Sequence, residues 1–115
     1  MFQIVGHDIR ITRGDTGVVH VSVFTKKGVQ KTPYEFLPDD IVTLTVRKEP
    51  KKFNDEDEVL IQQMMDMETQ DITIQPEDTA RIEYGTYNYD IQLLIGGTVV
   101  NTISVGKFII THEFT

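Results

Sequence analysis

The 115-residue sequence contains no cysteine and no tryptophan. Without cysteine it can form neither disulfide bonds nor thiolate metal sites. Packing alone must therefore stabilise its core, and a chain of this length can bury roughly two thirds of the surface of its unfolded form. These features predict a single domain, residues 1–115, that needs no covalent cross-link.

Basic residues are scarce, since 11 lysines and arginines are outnumbered by 18 acidic residues, for a net charge of −7. Proteins that bind nucleic acids or anionic membranes use basic stripes and clusters. We therefore expect neither among the partners of this chain. Its apolar runs are too short to cross a bilayer, and residues 1–8 do not resemble a signal peptide. We expect the chain to be made and to fold in the cytoplasm.

Alternation of apolar and polar residues, the signature of half-buried strands, dominates the sequence. The pattern predicts about seven strands in an antiparallel, immunoglobulin-like β-sandwich. These strands are residues 8–12, 18–25, 41–48, 58–67, 71–75, 87–95 and 98–114, and a single helical turn is predicted at 76–80. The glutamines and methionines of segment 58–67 also suit a helix.

In the last predicted strand, residues 98–114, the inward-facing positions change from odd to even numbers. Its inward residues are odd-numbered up to Val105 and even-numbered from Phe108 to Ile110, with Gly106 between them. A slip of one residue at a glycine is typical of a β-bulge. The sequence therefore predicts one long terminal strand with a bulge at Gly106.

Residues 76–89 resemble the corner between the fifth and sixth strands of immunoglobulin domains, where an acidic residue precedes a glycine and a tyrosine. Asp78 and Tyr87 occupy the acidic and tyrosine positions, and the Tyr87 hydroxyl is expected to bond back to the preceding turn. Tyr89 stands where those domains have a cysteine.

A wider resemblance covers most of the chain and is spread over five segments. These are I-x-I-x-R-G-D-T at 9–16, L-P-x-D-x-V-x-L-x-V-R at 37–47, I-x-P-E-D-T at 74–79, Y-G-x-Y-x-Y-D-I-x-L at 84–93 and T-I-x-x-G-x-F-x-I at 102–110. Together they resemble small β-sandwich proteins encoded among tail genes of phages and prophages of Gram-positive bacteria. They are similar to the N-terminal module of baseplate upper proteins.

The resemblance implies a structural component of a virion, made in the cytoplasm of a bacterial host. It implies no catalytic residues. The expected partners are other virion proteins or further copies of the chain, so that the chain forms a homo-oligomer or part of a larger assembly. The alternative is a cell-surface module that binds carbohydrate or protein, which would need exposed aromatic residues such as Tyr34, Phe36 and Phe53.

Three motifs have both a chemical and a structural interpretation. Arg13-Gly14-Asp15 matches an integrin-recognition tripeptide, but a turn between two strands is favoured. Residues 54–58 are rich in acids that could bind calcium, but they lack the glycine and spacing of a calcium loop, so an exposed loop is favoured. His20 and His112 could meet, but no zinc-ligand spacing connects them.

The sequence contains no nucleophile motif and no phosphate-binding loop, and paired carboxylates are the one remaining enzymatic interpretation. We therefore expect no catalytic residues, no metal and no cofactor. Met64, Met65 and Met67 are the candidate interface, because methionine adapts to varied apolar surfaces, although core filling and a partly exposed edge are favoured as the explanation of these residues.

Overall fold

Ten strands and one short helix make up the computed structural model, which describes residues 2–48, 58–96 and 98–112. The elements are β1 (Phe2–Val5), β2 (Asp8–Thr12), β3 (Gly17–His20), β4 (Phe24–Lys27), β5 (Gln30–Pro33), β6 (Ile41–Lys48), β7 (Glu58–Met64), β8 (Asp71–Ile74), α1 (Pro76–Thr79), β9 (Gly85–Ile95) and β10 (Val99–Thr111). The all-β prediction is confirmed.

Six strands form one sheet in the order β1-β2-β10-β9-β6-β7, and β3 pairs with β8 in a second sheet. Buried side chains of both sheets form one core, which gives the sandwich-like arrangement. β4 and β5 pair with each other as a separate hairpin. The large sheet is mixed, because β2 and β10 run parallel while its other pairs are antiparallel. The prediction of a purely antiparallel sandwich is corrected at that one pair.

The core follows the predicted alternation. The central inward positions of β6 and β9 are buried, and most of their neighbours in sequence are partly exposed, although the outward Thr45 is buried as well. The most deeply buried large side chains come from both sheets and comprise Ile9, Ile11, Val42, Leu44, Val46, Ile72, Ile74, Phe108 and Ile110. Burial of their apolar surface is the main stabilising term for the fold.

The difference between about seven predicted strands and ten observed ones arises near the N-terminus. β1 and β5 lie in segments without a predicted strand, and residues 18–25 divide into β3 and β4. β3 pairs with β8, whereas β4 pairs with β5. Since Val19, Val21 and Val23 keep one parity through the change of partner, the sequence pattern does not reveal the break.

β10 is one long strand, as predicted, but its bulge lies elsewhere. The register against β9 shifts between Thr102 and Ser104, so the extra residue is Ile103 and not Gly106. Gly106 pairs regularly with Tyr89. A Cβ atom at Gly106 would overlap the carbonyl oxygen of His7 and lie 2.9 Å from Cε1 of Tyr89. Glycine is therefore required there by the close approach of another part of the backbone.

The ambiguous segment after residue 57 is a strand, β7, and the predicted helical turn is α1, which begins at Pro76. Proline suits the first helical position because its missing N–H would be unpaired there in any case. Among the described residues, no helix is long and apolar enough to cross a membrane.

Candidate functional site

Asp78 and Tyr87, the predicted corner residues, hold the two ends of the connection between β8 and β9. The Asp78 carboxylate accepts hydrogen bonds from the Gln75 N–H and from Nε2 of Gln63, both at 2.7 Å. The Tyr87 hydroxyl donates to the carbonyl oxygen of Glu83 at 2.7 Å. Burial raises the pKa of Tyr87, which keeps the hydroxyl protonated as a donor. These contacts fix the path of the chain.

Tyr89, at the position of the immunoglobulin cysteine, is buried in the core. Its hydroxyl donates a hydrogen bond to the carbonyl oxygen of His7, in the turn between β1 and β2. Burial raises the pKa of this hydroxyl as well. An aromatic side chain and a hydrogen bond therefore connect β9 to the edge of its sheet, where a disulfide would join the two sheets of an immunoglobulin domain.

Asp40 is a buried carboxylate that organises the loop before β6. It accepts hydrogen bonds from the Tyr34 hydroxyl at 2.8 Å, from the Leu37 N–H at 2.9 Å and from the Gly96 N–H at 3.0 Å. The two backbone donors lower the pKa of Asp40 and outweigh the opposite effect of burial. The residue therefore ties the loop before β6 to the turn after β9.

Tyr34 and Phe36 do not form an open aromatic platform. Their rings pack edge to face with centroids 5.6 Å apart, and both side chains are partly buried against the core. Phe53, the third aromatic candidate for a sugar-binding surface, lies outside the described residues. The aromatic requirement of a carbohydrate site is therefore not met by the first two residues.

A polar cluster occupies the outer face of the six-stranded sheet, on neighbouring positions of β6, β9 and β10. Arg47 Nη1 lies 2.6 Å from Asp90 Oδ2, and Lys107 Nζ lies 2.9 Å from Asn88 Oδ1. The second oxygen of Asp90, Oδ1, is buried and has no hydrogen-bond partner within the described part of the chain. A shallow pocket of about 590 Å³ lies here and includes Asp8 in its lining.

Sequence reasoning missed this cluster. Arg47 and Asp90 occupy positions that alternate with the buried residues of their strands. Such a pattern predicts solvent exposure, but it does not predict that the two side chains meet. Their approach depends on the register of β6 against β9, in which Arg47 is opposite Asn88 and Thr45 is opposite Asp90. A buried carboxylate oxygen without a donor is chemically suited to accept a hydrogen bond from a hydroxyl or ammonium group.

The three candidate interface methionines occupy two environments. Met65 is only 6% exposed and belongs to the core, so its place in the predicted interface is corrected. Met64 is 62% exposed and Met67 is 38% exposed. Met64 ends β7, which forms one edge of the large sheet, and Val59 near the start of the same strand is also exposed. The exposed members therefore lie at or just beyond an edge strand.

The β4–β5 hairpin carries a second group of exposed apolar residues. Its turn has Gly28 at φ +65° and Val29, whose side chain is completely exposed. Glycine at the first central position with positive φ matches the type II′ hairpin turn. Phe24 is also exposed, and Lys31 Nζ lies 5.8 Å from the centre of its ring.

No protein-family model matches the sequence, and no curated protein matches it either. The resemblance to tail-region proteins of phages therefore stays a prediction.

The remaining motifs have structural partners or lie outside the described residues. A turn is predicted at residues 14–17, and the Asp15 N–H donates to the Thr12 carbonyl oxygen, which closes a turn at residues 12–15. His20 Nδ1 lies 2.8 Å from Asp71 Oδ1, whereas His112 packs on the Tyr84 ring, so the two histidines do not meet. The acid-rich segment 54–58 is described only at Glu58. Within the described ranges no group of three potential ligands could hold a metal ion.

Proposed function

We propose that the chain is a non-catalytic structural module of a phage or prophage tail or baseplate, and that it acts through protein–protein contacts. The observation that carries this proposal is the unprotected edge strand β7. Among the described strands only β6 pairs with it, and it presents exposed apolar side chains at both of its ends.

Edge strands of this kind are suited to assembly. Within the described residues, the outer side of β7 has backbone N–H and C=O groups that no other strand pairs with, and these can pair with a strand of another chain. Val59 is 51% exposed and Met64 is 62% exposed, so a docked strand would remove apolar surface from water as it forms hydrogen bonds. Methionine adapts its shape to a partner more readily than branched residues do.

Several of the described aspartates form hydrogen bonds or ion pairs within the chain, which is consistent with a structural role for these side chains. Asp40 accepts three hydrogen bonds, Asp78 accepts two, and Asp71 and Asp90 lie in pairs with His20 and Arg47. The phage or prophage context comes from the resemblance of the five sequence segments. On this proposal the chain is made in the host cytoplasm and becomes part of the virion on assembly.

Particle composition tests the proposal. A tagged copy of the chain is expressed in the bacterial strain that encodes it, phage production is induced, and particles are purified on a density gradient. We expect mass spectrometry to find the chain in the particle fraction at a fixed ratio to the tail proteins. A chain that stays in the soluble fraction while complete particles sediment would refute the proposal.

The alternative, a cell-surface module that binds carbohydrate, is favoured by one observation. Asp90 Oδ1 lies buried beside a pocket that also contains Arg47, Asn88 and Lys107, and a sugar hydroxyl is a suitable donor to it. Binding of the wild type on a glycan array, lost in Asp90→Asn and kept in Asp15→Asn, would support this function. Absence of binding on the array would leave the assembly role as the better proposal.

A further inference from the structure

We infer that copies of this chain associate head to tail, with the β4–β5 hairpin of one copy docking on the β7 edge of the next. This inference rests on the proposed assembly function and identifies one of its partners as a second copy of the same chain. Three observations support it: the charge of the hairpin, the charge of the edge, and the apolar residues that both expose.

The hairpin is a basic element in an acidic protein. Residues 16–34 contain three lysines and no aspartate or glutamate, although the whole chain has a net charge of −7. Lys31 is exposed on β5, and the fully exposed Val29 forms the tip of the turn. Phe24 adds a further exposed apolar side chain, at 52%. A fully exposed valine at the tip of a hairpin has no structural role within its own chain.

The β7 edge has the opposite charge. Glu58 begins the strand, and Asp66 and Glu68 follow it in the turn toward β8, all with exposed side chains. The exposed Met64 and Met67 lie between or beside these acids. No lysine or arginine occurs between residues 58 and 80. The edge therefore combines negative charge with an adaptable apolar surface, which complements the lysines and Val29 of the hairpin.

This distribution of charge disfavours the contact of either surface with the same surface of another copy. Two hairpins placed together would bring lysines against lysines, and two β7 edges would bring acids against acids. Like charges opposed across strands destabilise a pairing, whereas opposite charges stabilise it. A contact between the hairpin of one copy and the edge of another either leaves each copy with one free surface, so that a ring or a filament forms, or is made twice in a reciprocal two-fold dimer.

The lengths of the two elements set the expected strength. β7 has seven residues and each hairpin strand has four, so a docked hairpin strand covers about half of the edge. An interface this small is typical of weak association. We therefore expect dimers and larger species only at high protein concentration and at low ionic strength, because salt screens the charges.

Sedimentation velocity of surface variants tests the inference. Val29→Asp alters the hairpin tip, Met64→Asp alters the edge, and Val105→Asp serves as the control, since Val105 is 61% exposed on a different surface. We expect the wild type and Val105→Asp to associate as concentration rises. Val29→Asp and Met64→Asp should each stay monomeric alone. An equimolar mixture of the two should form a 1:1 dimer, because each supplies the surface that the other has lost. Circular dichroism verifies that every variant is folded.

Several outcomes would overturn the inference. These are a wild type that stays monomeric at low salt, a Val29→Asp variant that associates like the wild type, and an equimolar mixture of Val29→Asp and Met64→Asp that stays monomeric. A monomeric wild type that is still found in purified particles would refute self-association and leave the proposed tail function intact. A chain that associates with itself but is absent from particles would refute the proposed tail function and leave self-association intact.

Discussion

Substituting Gly106 by alanine tests the packing of β10 against the turn between β1 and β2. The added Cβ would overlap the His7 carbonyl oxygen and approach Tyr89 Cε1 to 2.9 Å. Since the first of these atoms belongs to the backbone, the turn must move, and the hydrogen bond from Tyr89 to His7 is lost with it. Overpacking typically costs 1–3 kcal/mol, and a lost hydrogen bond costs about 1 kcal/mol.

The expected loss of unfolding free energy in Gly106→Ala is therefore about 2–4 kcal/mol, which is a large part of the 5–15 kcal/mol typical of a small domain. For a domain of this size it corresponds to a fall in Tm of about 10 °C. Urea unfolding followed by circular dichroism measures the free energy, since the chain has no tryptophan to serve as a fluorescent probe.

Gly28→Ala is the matched control for that experiment. Gly28 has φ +65° and nothing within 4 Å of the added Cβ, so its substitution carries backbone strain without a clash. That strain costs about 1–2 kcal/mol. If Gly106→Ala were as stable as the wild type, or clearly less destabilised than Gly28→Ala, the close approach of His7 would be wrong and a bulge at Gly106 would again be the better interpretation.

Three further experiments test other parts of the structure. Because hydrogen bonds lower the pKa of Asp40 in the folded protein, its stabilising contribution is present above its unfolded pKa, near 3.8, and is lost as the pH falls through the lower folded value. Asp40→Asn should therefore flatten the decline in unfolding free energy measured from about pH 5 to pH 2, and an unchanged slope would contradict the role of Asp40. Met65→Ala should lower the unfolding free energy by about 2–4 kcal/mol, whereas Met64→Ala should change it by less than about 0.5 kcal/mol, and equal effects would contradict their different burial. Tyr87→Phe should cost about 0.5–1 kcal/mol in urea unfolding through loss of the bond to Glu83, and a neutral effect would refute that contribution.

Local patterns predicted the elements whose signals lie within a few residues. β2 and β6 have the predicted bounds, since turn residues flank a clear alternation in each. The helical turn at Pro76 follows from the position of proline and the acids after it. The hydrogen bond of Tyr87 also connects residues only four positions apart.

Long-range pairing is what the sequence did not reveal. The predicted parity change in β10 lies between Val105 and Phe108, whereas the register shifts at Ile103, and Val105 is 61% exposed and not inward. Gly106 was the natural choice because glycine is common at bulges. Glycine is required at position 106 because the backbone of His7, 99 positions away in the sequence, leaves no room for a Cβ atom there. The pairing of Arg47 with Asp90 was hidden for the same reason, because it depends on strand register.

The two edges of the large sheet differ in a way that bears on assembly. Natural sheets protect their edges with short strands, lysine or proline. β1 is short, with four residues, and its Phe2 packs on Gly17 so closely that a Cβ there would overlap the ring. β7 has seven residues and contains neither lysine nor proline. Exposed apolar side chains at both of its ends add to the risk of unspecific pairing. Among the described strands, β7 is therefore the edge at which pairing with a further strand is less hindered.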